Sequence, residues 1–148
     1  MKTVIVDIDG TVANCEHRQH FLRVKPRNWK SFKELAYEDG VYEDIVELVQ
    51  TLHSAGNKIV FVTARSEGER AVTTAWLIDK SGLHDIYDKL YMRTEGDNRD
   101  DSIVKEELLE ELREDGYDPW LVLDDRDRVV VKWRELGLRC LQVAPGDF

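Results

Sequence analysis

The sequence predicts an α/β fold: a Rossmann-like, doubly wound parallel sheet of about five strands with a small insertion after the first strand. Three observations predict it. Five short apolar runs alternate with four helical patterns along the 148 residues. The runs are continuously apolar, as strands become when helices cover both faces of a sheet. Four helical patterns close on a glycine, Gly56, Gly82, Gly116 and Gly137, the residue that tolerates the left-handed turn at a helix end.

In chain order, the first strand is Thr3–Asp7, followed by an irregular insertion over 12–41 with a short helix around Trp29–Tyr37. A helix over Tyr42–Ala55 leads to a strand at Lys58–Thr63, and a helix over Glu67–Lys80 to a strand at Lys89–Met92. The next helix, Ser102–Asp115, sets Val104, Leu108 and Leu112 four apart, with Leu109 widening the same apolar face. The acids of that helix are expected to form its solvated side. A strand at Trp120–Asp124, a helix over Asp127–Leu136 and a strand at Arg139–Val143 complete the pattern. Hydrophobic content of 42% over this length fits one compact domain, 1–148, with a real core.

Composition narrows the classes. No apolar stretch approaches the roughly 18–20 residues of a membrane span, and no signal peptide is visible. Cys15 and Cys140 lie far apart without metal-ligand spacing, so both are expected reduced, in a cytoplasmic protein. Net charge is −9, unevenly spread: His17 to Lys33 holds six basic residues (Arg18, Arg23, Lys25, Arg27, Lys30, Lys33) and no acid. Such a segment either directs a polyanion to one place or is an ordinary solvated loop.

In a sheet of this type ligands bind at the carboxyl ends of the strands. Those ends read Asp7–Asp9, Thr63–Arg65, Arg93 and Asp124–Asp125–Arg126. One acidic ending could be a helix cap; four polar endings on one edge make a site. Asp7, Asp9, Asp124 and Asp125 would repel one another unless a cation intervened. An oxygen cluster without His or Cys suits a hard ion such as Mg²⁺. Thr63, Arg65, Arg93 and Lys105 supply hydroxyl and cationic donors, and the two sets together describe the surroundings of a phosphoryl group. An aspartate is already ionised at neutral pH and can attack phosphorus without a base to deprotonate it. A second acid can protonate the departing oxygen and then activate water.

These residues resemble the motifs of the haloacid dehalogenase superfamily: "DIDGT" its first, "VTAR" its second, Lys105 its third and "LDDR" its fourth, in order along the chain. Within it, "GDNRDDSIVKEELL", "LVLDDRDRVVVKWRELGLRCLQVAPGDF" and the spacing to Arg93 resemble the 3′-phosphatase domains of bacteriophage polynucleotide kinase-phosphatases. The resemblance implies Asp7 as nucleophile, Asp9 as general acid/base, Thr63 as a phosphoryl hydrogen-bond donor and Lys105 as the cation that neutralises the phosphoaspartate. It implies Mg²⁺ held by the Asp7 carboxylate, the Asp9 backbone carbonyl and the acid pair, Asp125 with Asp124 close behind. From the nearer family, Arg65, Arg93, Asp101 (of the pair Asp100–Asp101) and Arg126 become supporting or substrate-contacting residues, in a nucleic-acid repair role.

The function expected is Mg²⁺-dependent removal of a 3′-phosphate from a DNA or RNA end or a nucleotide. A 5′-nucleotidase or sugar phosphatase is the first rival, and a non-catalytic nucleic-acid-binding module the second. No G-x-x-x-x-G-K followed by Ser or Thr occurs, so phosphorylation by ATP is not expected of these residues. A separate kinase or ligase partner is compatible with this, and no membrane partner is expected. His17 and His20 are expected at the surface, Trp29 and Phe32 to pack the insertion onto the body, and Trp120 and Trp133 to lie in or near the core.

Overall fold

The computed structural model describes residues 1–148. Strands β1 (Thr3–Val6), β2 (Ala13–Asn14), β3 (Gly40–Val41), β4 (Lys58–Ser66), β5 (Tyr87–Arg93), β6 (Pro119–Asp124) and β7 (Arg139–Gln142) form two sheets. Five strands in the order β5-β4-β1-β6-β7 make the main one, and all four neighbouring pairs are parallel. Thus β1, which carries the acid-rich "DIDGT" at its end, lies at the centre.

The pleat sends successive residues to opposite faces. Val4 and Val6 of β1 enter one apolar cluster with Ile59 and Phe61 of β4, Val46 and Val49 of α3 (Glu43–Ser54) and Trp76. Ile5 points the other way, against Val104, Leu108, Leu109 and Leu112 of α5 (Asp101–Glu114) and Val129, Val130 and Trp133 of α6 (Asp127–Glu135). Each fully buried aliphatic side chain contributes about 1.5–3 kcal/mol, so both helical layers are anchored by the run that makes β1 continuously apolar.

Three local expectations are corrected. The helix expected over Glu67–Lys80 is instead a 3₁₀ turn (Glu67–Glu69), α4 (Arg70–Trp76) and a π-helical turn (Leu77–Ser81). Ser66 and Glu69 form a reciprocal cap at its start, the Ser66 backbone N–H donating to Glu69 Oε2 at 3.0 Å. The insertion is more ordered than expected: β2 and β3 pair antiparallel, Ala13 with Val41 and Asn14 with Gly40, and clasp its two ends. Between them lie α1 (His20–Arg23), α2 (Trp29–Glu34) and two 3₁₀ turns. Trp120 is 37% exposed rather than core. It sits at the amino-terminal rim, where Nε1 donates to Asn57 Oδ1 and Lys2 lies over the ring. Trp133 is fully buried, as expected. Both cysteines are free and buried, and no helix is long and apolar enough to cross a membrane.

Candidate active site

Asp7 follows β1 directly, and its backbone N–H still donates to Leu123 O of β6, so the sheet fixes where the carboxylate leaves the strand. The chain then turns: Ile8 O accepts from the N–H groups of Thr11, Val12 and Ala13, and Gly10 takes φ 82°. A Cβ on Gly10 would lie 2.1 Å from Asp125 Oδ2. Glycine is required there both for the left-handed backbone and for the close approach to that acid. Thr11 comes round to donate its hydroxyl to Asp7 Oδ2 at 3.1 Å.

Asp124 ends β6 beside β1 and Asp125 follows it, and oxygens of Asp7, Asp124 and Asp125 lie within 4.8 Å of one another, all three residues buried. Lys105, near the start of α5, enters from the helix layer, with Nζ 2.8 Å from Asp7 Oδ1 and 2.7 Å from Asp124 Oδ2. Burial, then the charge of Asp124, pushes the Asp7 carboxyl well above its ordinary value, with Lys105 opposing. Burial likewise pushes Asp125 up to about 6. Burial disfavours the Lys105 charge, but Asp124 and Asp7 outweigh it and raise its pKa. Three carboxylates against one ammonium leave an excess of two negative charges when all are ionised. The donor set is all oxygen, and both features fit one hard divalent cation.

The two aspartates at the end of β6 and just past it are not equivalent. Asp124 Oδ1 accepts from the backbone N–H groups of Asp125 and Arg126, and Oδ2 from Lys105 and Trp133 Nε1. Its lone pairs are committed. The Asp125 carboxylate receives only the Thr11 hydroxyl, at 3.5 Å, and so keeps capacity to bind a cation.

Asp9 faces the other way. A register shift between Thr63 and Ser66 of β4 places two extra residues, Ala64 and Arg65, opposite β5, and such bulges re-aim side chains. Arg65 thereby reaches Asp9, with Nη2 2.6 Å from Oδ1 and Nε 3.0 Å from Oδ2. Its remaining donors go to Thr73 Oγ1 and Asp39 Oδ2. Arg18 of the insertion donates to the same Asp9 Oδ1 at 3.0 Å and grips Asp39 through two bonds of 2.7 and 2.8 Å. Burial works against ionisation of Asp9, but the Arg65 charge and hydrogen bonds, then Arg18, win and hold its carboxyl below the usual value. The Asp9 side chain is therefore outside the cluster of three carboxylates.

The remaining expected residues form an adjoining group. Thr63 is buried and its Oγ1 accepts from the Arg65 N–H at 3.1 Å, which leaves its own O–H to donate. Arg93 spends its guanidinium on Ala64 O, Asp97 O, Arg99 O and Asp101 Oδ1. Asp101 bridges Arg93 to Arg126, whose Nε also donates to Phe148 O. Asp100 has a separate task, capping α5 by accepting from the Ser102 N–H.

Three residues of the site escape the sequence reading. Thr11 lies inside "DIDGT" but hydroxyls are common in turns. Arg18 is counted there with the surface cations, yet it is 1% exposed. Asp39 carries no local signal, since its partners lie 21 and 26 positions away. One aromatic expectation also needs correction. Trp29 does not pack onto the body: it is 48% exposed, edge-on to Phe32. His17 is exposed, as expected, and its Nε2 lies 2.7 Å from Asp39 Oδ1.

A family model described as the polynucleotide kinase PNKP phosphatase domain matches residues 1–148. Chains in two solved structures, of the Pnkp1/Rnl/Hen1 complex and of the Pnkp1/Rnl/Hen1 RNA repair complex, superpose with TM-scores of 0.82 and 0.81 at 32% identity. Each match covers 99% of this chain but only 47% and 43% of the other. A protein of Autographa californica nuclear polyhedrosis virus, named for polynucleotide kinase and RNA ligase activities, is 27% identical over 138 residues, 93% of this chain and 18% of its own length. The chain thus spans less than half the length of each of these. A haloacid dehalogenase-like hydrolase from Streptococcus pneumoniae shares the fold, with a TM-score of 0.64 at 15% identity over 95% of this chain and 84% of its own.

Proposed function

Because the chain belongs to the family of polynucleotide kinase PNKP phosphatase domains, of the haloacid dehalogenase type, we propose that it removes a 3′-phosphate from polynucleotide ends through an aspartyl-phosphate on Asp7. The observation that carries this reading is the buried triad of Asp7, Asp124 and Asp125 around a single lysine. A binding module for polyanions gains nothing from clustered carboxylates, which argues against the non-catalytic reading.

The residues divide the work. An Asp7 oxygen attacks phosphorus, the bond from phosphorus to the 3′ oxygen breaks, and that oxygen takes the proton of a protonated Asp9 carboxyl and leaves as a hydroxyl. Water then attacks the phosphoaspartate and gives a proton to Asp9, which releases phosphate and restores the Asp7 carboxylate. Lys105 balances negative charge at Asp7, and the Thr63 hydroxyl supplies a donor for phosphoryl oxygens. The ion pairs of Asp9 with Arg65 and Arg18 favour its ionised form, which suits the proton-accepting half. In the first half, Asp9 can donate only when it carries a proton, which those ion pairs disfavour. Mg²⁺ held by the Asp7 and Asp125 carboxylates and the Asp9 carbonyl would offset the repulsion between a carboxylate and a phosphate dianion. Asp124, its lone pairs committed elsewhere, orients Lys105. Arg93, Asp101 and Arg126 form a charged chain that braces the 94–101 loop, and any contact with substrate is made from that brace.

The test is release of phosphate from a 3′-phosphorylated oligonucleotide, a 3′-mononucleotide and a 5′-mononucleotide, each with and without Mg²⁺. Mg²⁺-dependent turnover of the 3′ substrates is expected. Turnover of the 5′-mononucleotide alone would make the chain a nucleotidase.

A further inference from the structure

With Arg18 turned inward, Arg23, Lys25, Arg27, Lys30 and Lys33 remain exposed. Lys30 and Lys33 approach Glu34 and Glu69 only to 4.0 Å, and Arg23, Lys25 and Arg27 pair with no acid. Five cations within residues 23–33, three of them without an acid in ion-pair reach, leave charge there that an external anion can neutralise. Set among them are Val24 and Trp29, 50% and 48% exposed. The rest of the surface carries the acids, so a polyanion is turned away elsewhere and drawn here.

The segment is ordered and tied to the active site. The Asn28 N–H donates to Phe21 O at 2.8 Å, closing the loop that bears the three unpaired cations. The Asn28 side chain caps α2, which presents Trp29 edge-on to Phe32 with centroids 5.8 Å apart. The Arg18 guanidinium stacks on Phe32 at 4.1 Å and donates onward to Asp9 at 3.0 Å. An exposed indole is thus linked to the carboxylate beside the nucleophile by three successive side-chain contacts.

We infer that Arg23–Trp29 is a strand-binding surface for single-stranded polynucleotide. Phosphates upstream of the 3′ end lie on Arg23, Lys25 and Arg27, and one base stacks on Trp29. Interleaved cations and an accessible aromatic ring are what such a strand requires, since every base has a stacking face and every linkage a charge. The inference rests on the proposed phosphatase reading and adds to it a preference for a polymer end over a nucleotide.

The test uses the wild-type chain, Trp29→Ala and the triple variant Arg23→Ala, Lys25→Ala, Arg27→Ala. Fluorescence anisotropy with a labelled single-stranded oligonucleotide ending in a 3′ hydroxyl, and with an abasic strand of equal length, reads the surface without turnover. The triple variant should bind both strands about tenfold or more weakly, with the salt dependence flattened by about two ion equivalents. Trp29→Ala should weaken the oligonucleotide about tenfold and leave the abasic strand unchanged. The ratio of kcat/KM for a 3′-phosphorylated oligonucleotide to that for a 3′-mononucleotide should fall in both variants. Undiminished binding, or an equal loss on oligonucleotide and mononucleotide, would overturn the inference. Trp29-dependent binding by a wild-type chain that turns over no 3′-phosphate would uphold the surface and refute the phosphatase reading.

Discussion

Arg65 and Asp9 form a two-pronged ion pair, with Nη2 2.6 Å from Oδ1 and Nε 3.0 Å from Oδ2. Two parallel charge-assisted bonds fix both the position and the plane of the carboxylate. The pair forms because β4 carries its extra residues just past Thr63, so a bulge in one strand sets the carboxylate that follows another.

Replacing Arg65 by Met should therefore move the acid limb of the pH–rate profile to higher pH. Asp9 is held below its ordinary value, with burial opposing and Arg65 prevailing. Without the guanidinium, only the charges of Arg18 and Lys105 oppose burial, and Asp9 loses its ionised form at a higher pH. An unmoved acid limb would show that Asp9 does not limit the rate there.

Burial of Asp7 and Asp125 should make their contribution to metal-free stability depend on pH in the opposite sense from that of ion-paired surface carboxylates, and should make Mg²⁺ binding strengthen as pH rises. Asp7 is raised well above its ordinary value, by burial first, and Asp125 to about 6. Between about pH 4 and about pH 6 these two carboxyls hold more protons in the metal-free folded chain than in the unfolded one, so the contribution they make to stability falls as pH rises through that window. Mg²⁺ needs the ionised carboxylates, so its binding releases protons. The increase in Tm produced by Mg²⁺ should be larger above about pH 7 than below about pH 5, as thermal denaturation at both values would register. An increase that shrank with rising pH would contradict carboxylate ligation.

Gly10→Ala should disable the site while leaving the core folded. The new Cβ meets Asp125 Oδ2 at 2.1 Å on a backbone at φ 82°. Left-handed strain costs about 1–2 kcal/mol, and the displaced Asp125 should weaken Mg²⁺ binding as well. Calorimetric titration with Mg²⁺ should show a clear loss of affinity, and unchanged affinity would mean that Asp125 is not a ligand.

Asp39 joins the insertion to the body through Arg18 and Arg65. Asp39→Ala leaves two buried guanidinium groups short of a partner and should cost about 3–5 kcal/mol. Because β2 and β3 clasp the same insertion at its ends, the loss should be local first. Limited trypsin digestion should cleave after Arg23 and Arg27 faster than in the wild type; equal rates would show that Asp39 does not restrain the segment.

Much of this was legible in the sequence because parallel strands are continuous apolar runs and their carboxyl ends are where polar residues gather. Asp7 and Asp124–Asp125 converge as that rule requires, and Lys105 joins them from the first turns of α5, where the resemblance to the family's third motif marks it. What escaped reading depends on partners distant in sequence. Arg18 looks like one more surface cation until Asp39, 21 positions on, turns it inward. Trp120 looks like core because it opens an apolar run, but it sits where the strand begins, beside Asn57 at the rim. The break in the helix after Ser66 follows from a cap whose serine is also the last residue of β4.

The most direct measurement is an acid quench during turnover of an oligonucleotide carrying a radiolabelled 3′-phosphate, followed by peptide mapping. Label should be retained on the peptide containing Asp7 in the wild type and be absent from Asp7→Asn, which should fold normally and release no phosphate. An Asp7→Asn chain that still turned the substrate over, or label trapped on a different residue, would contradict the account.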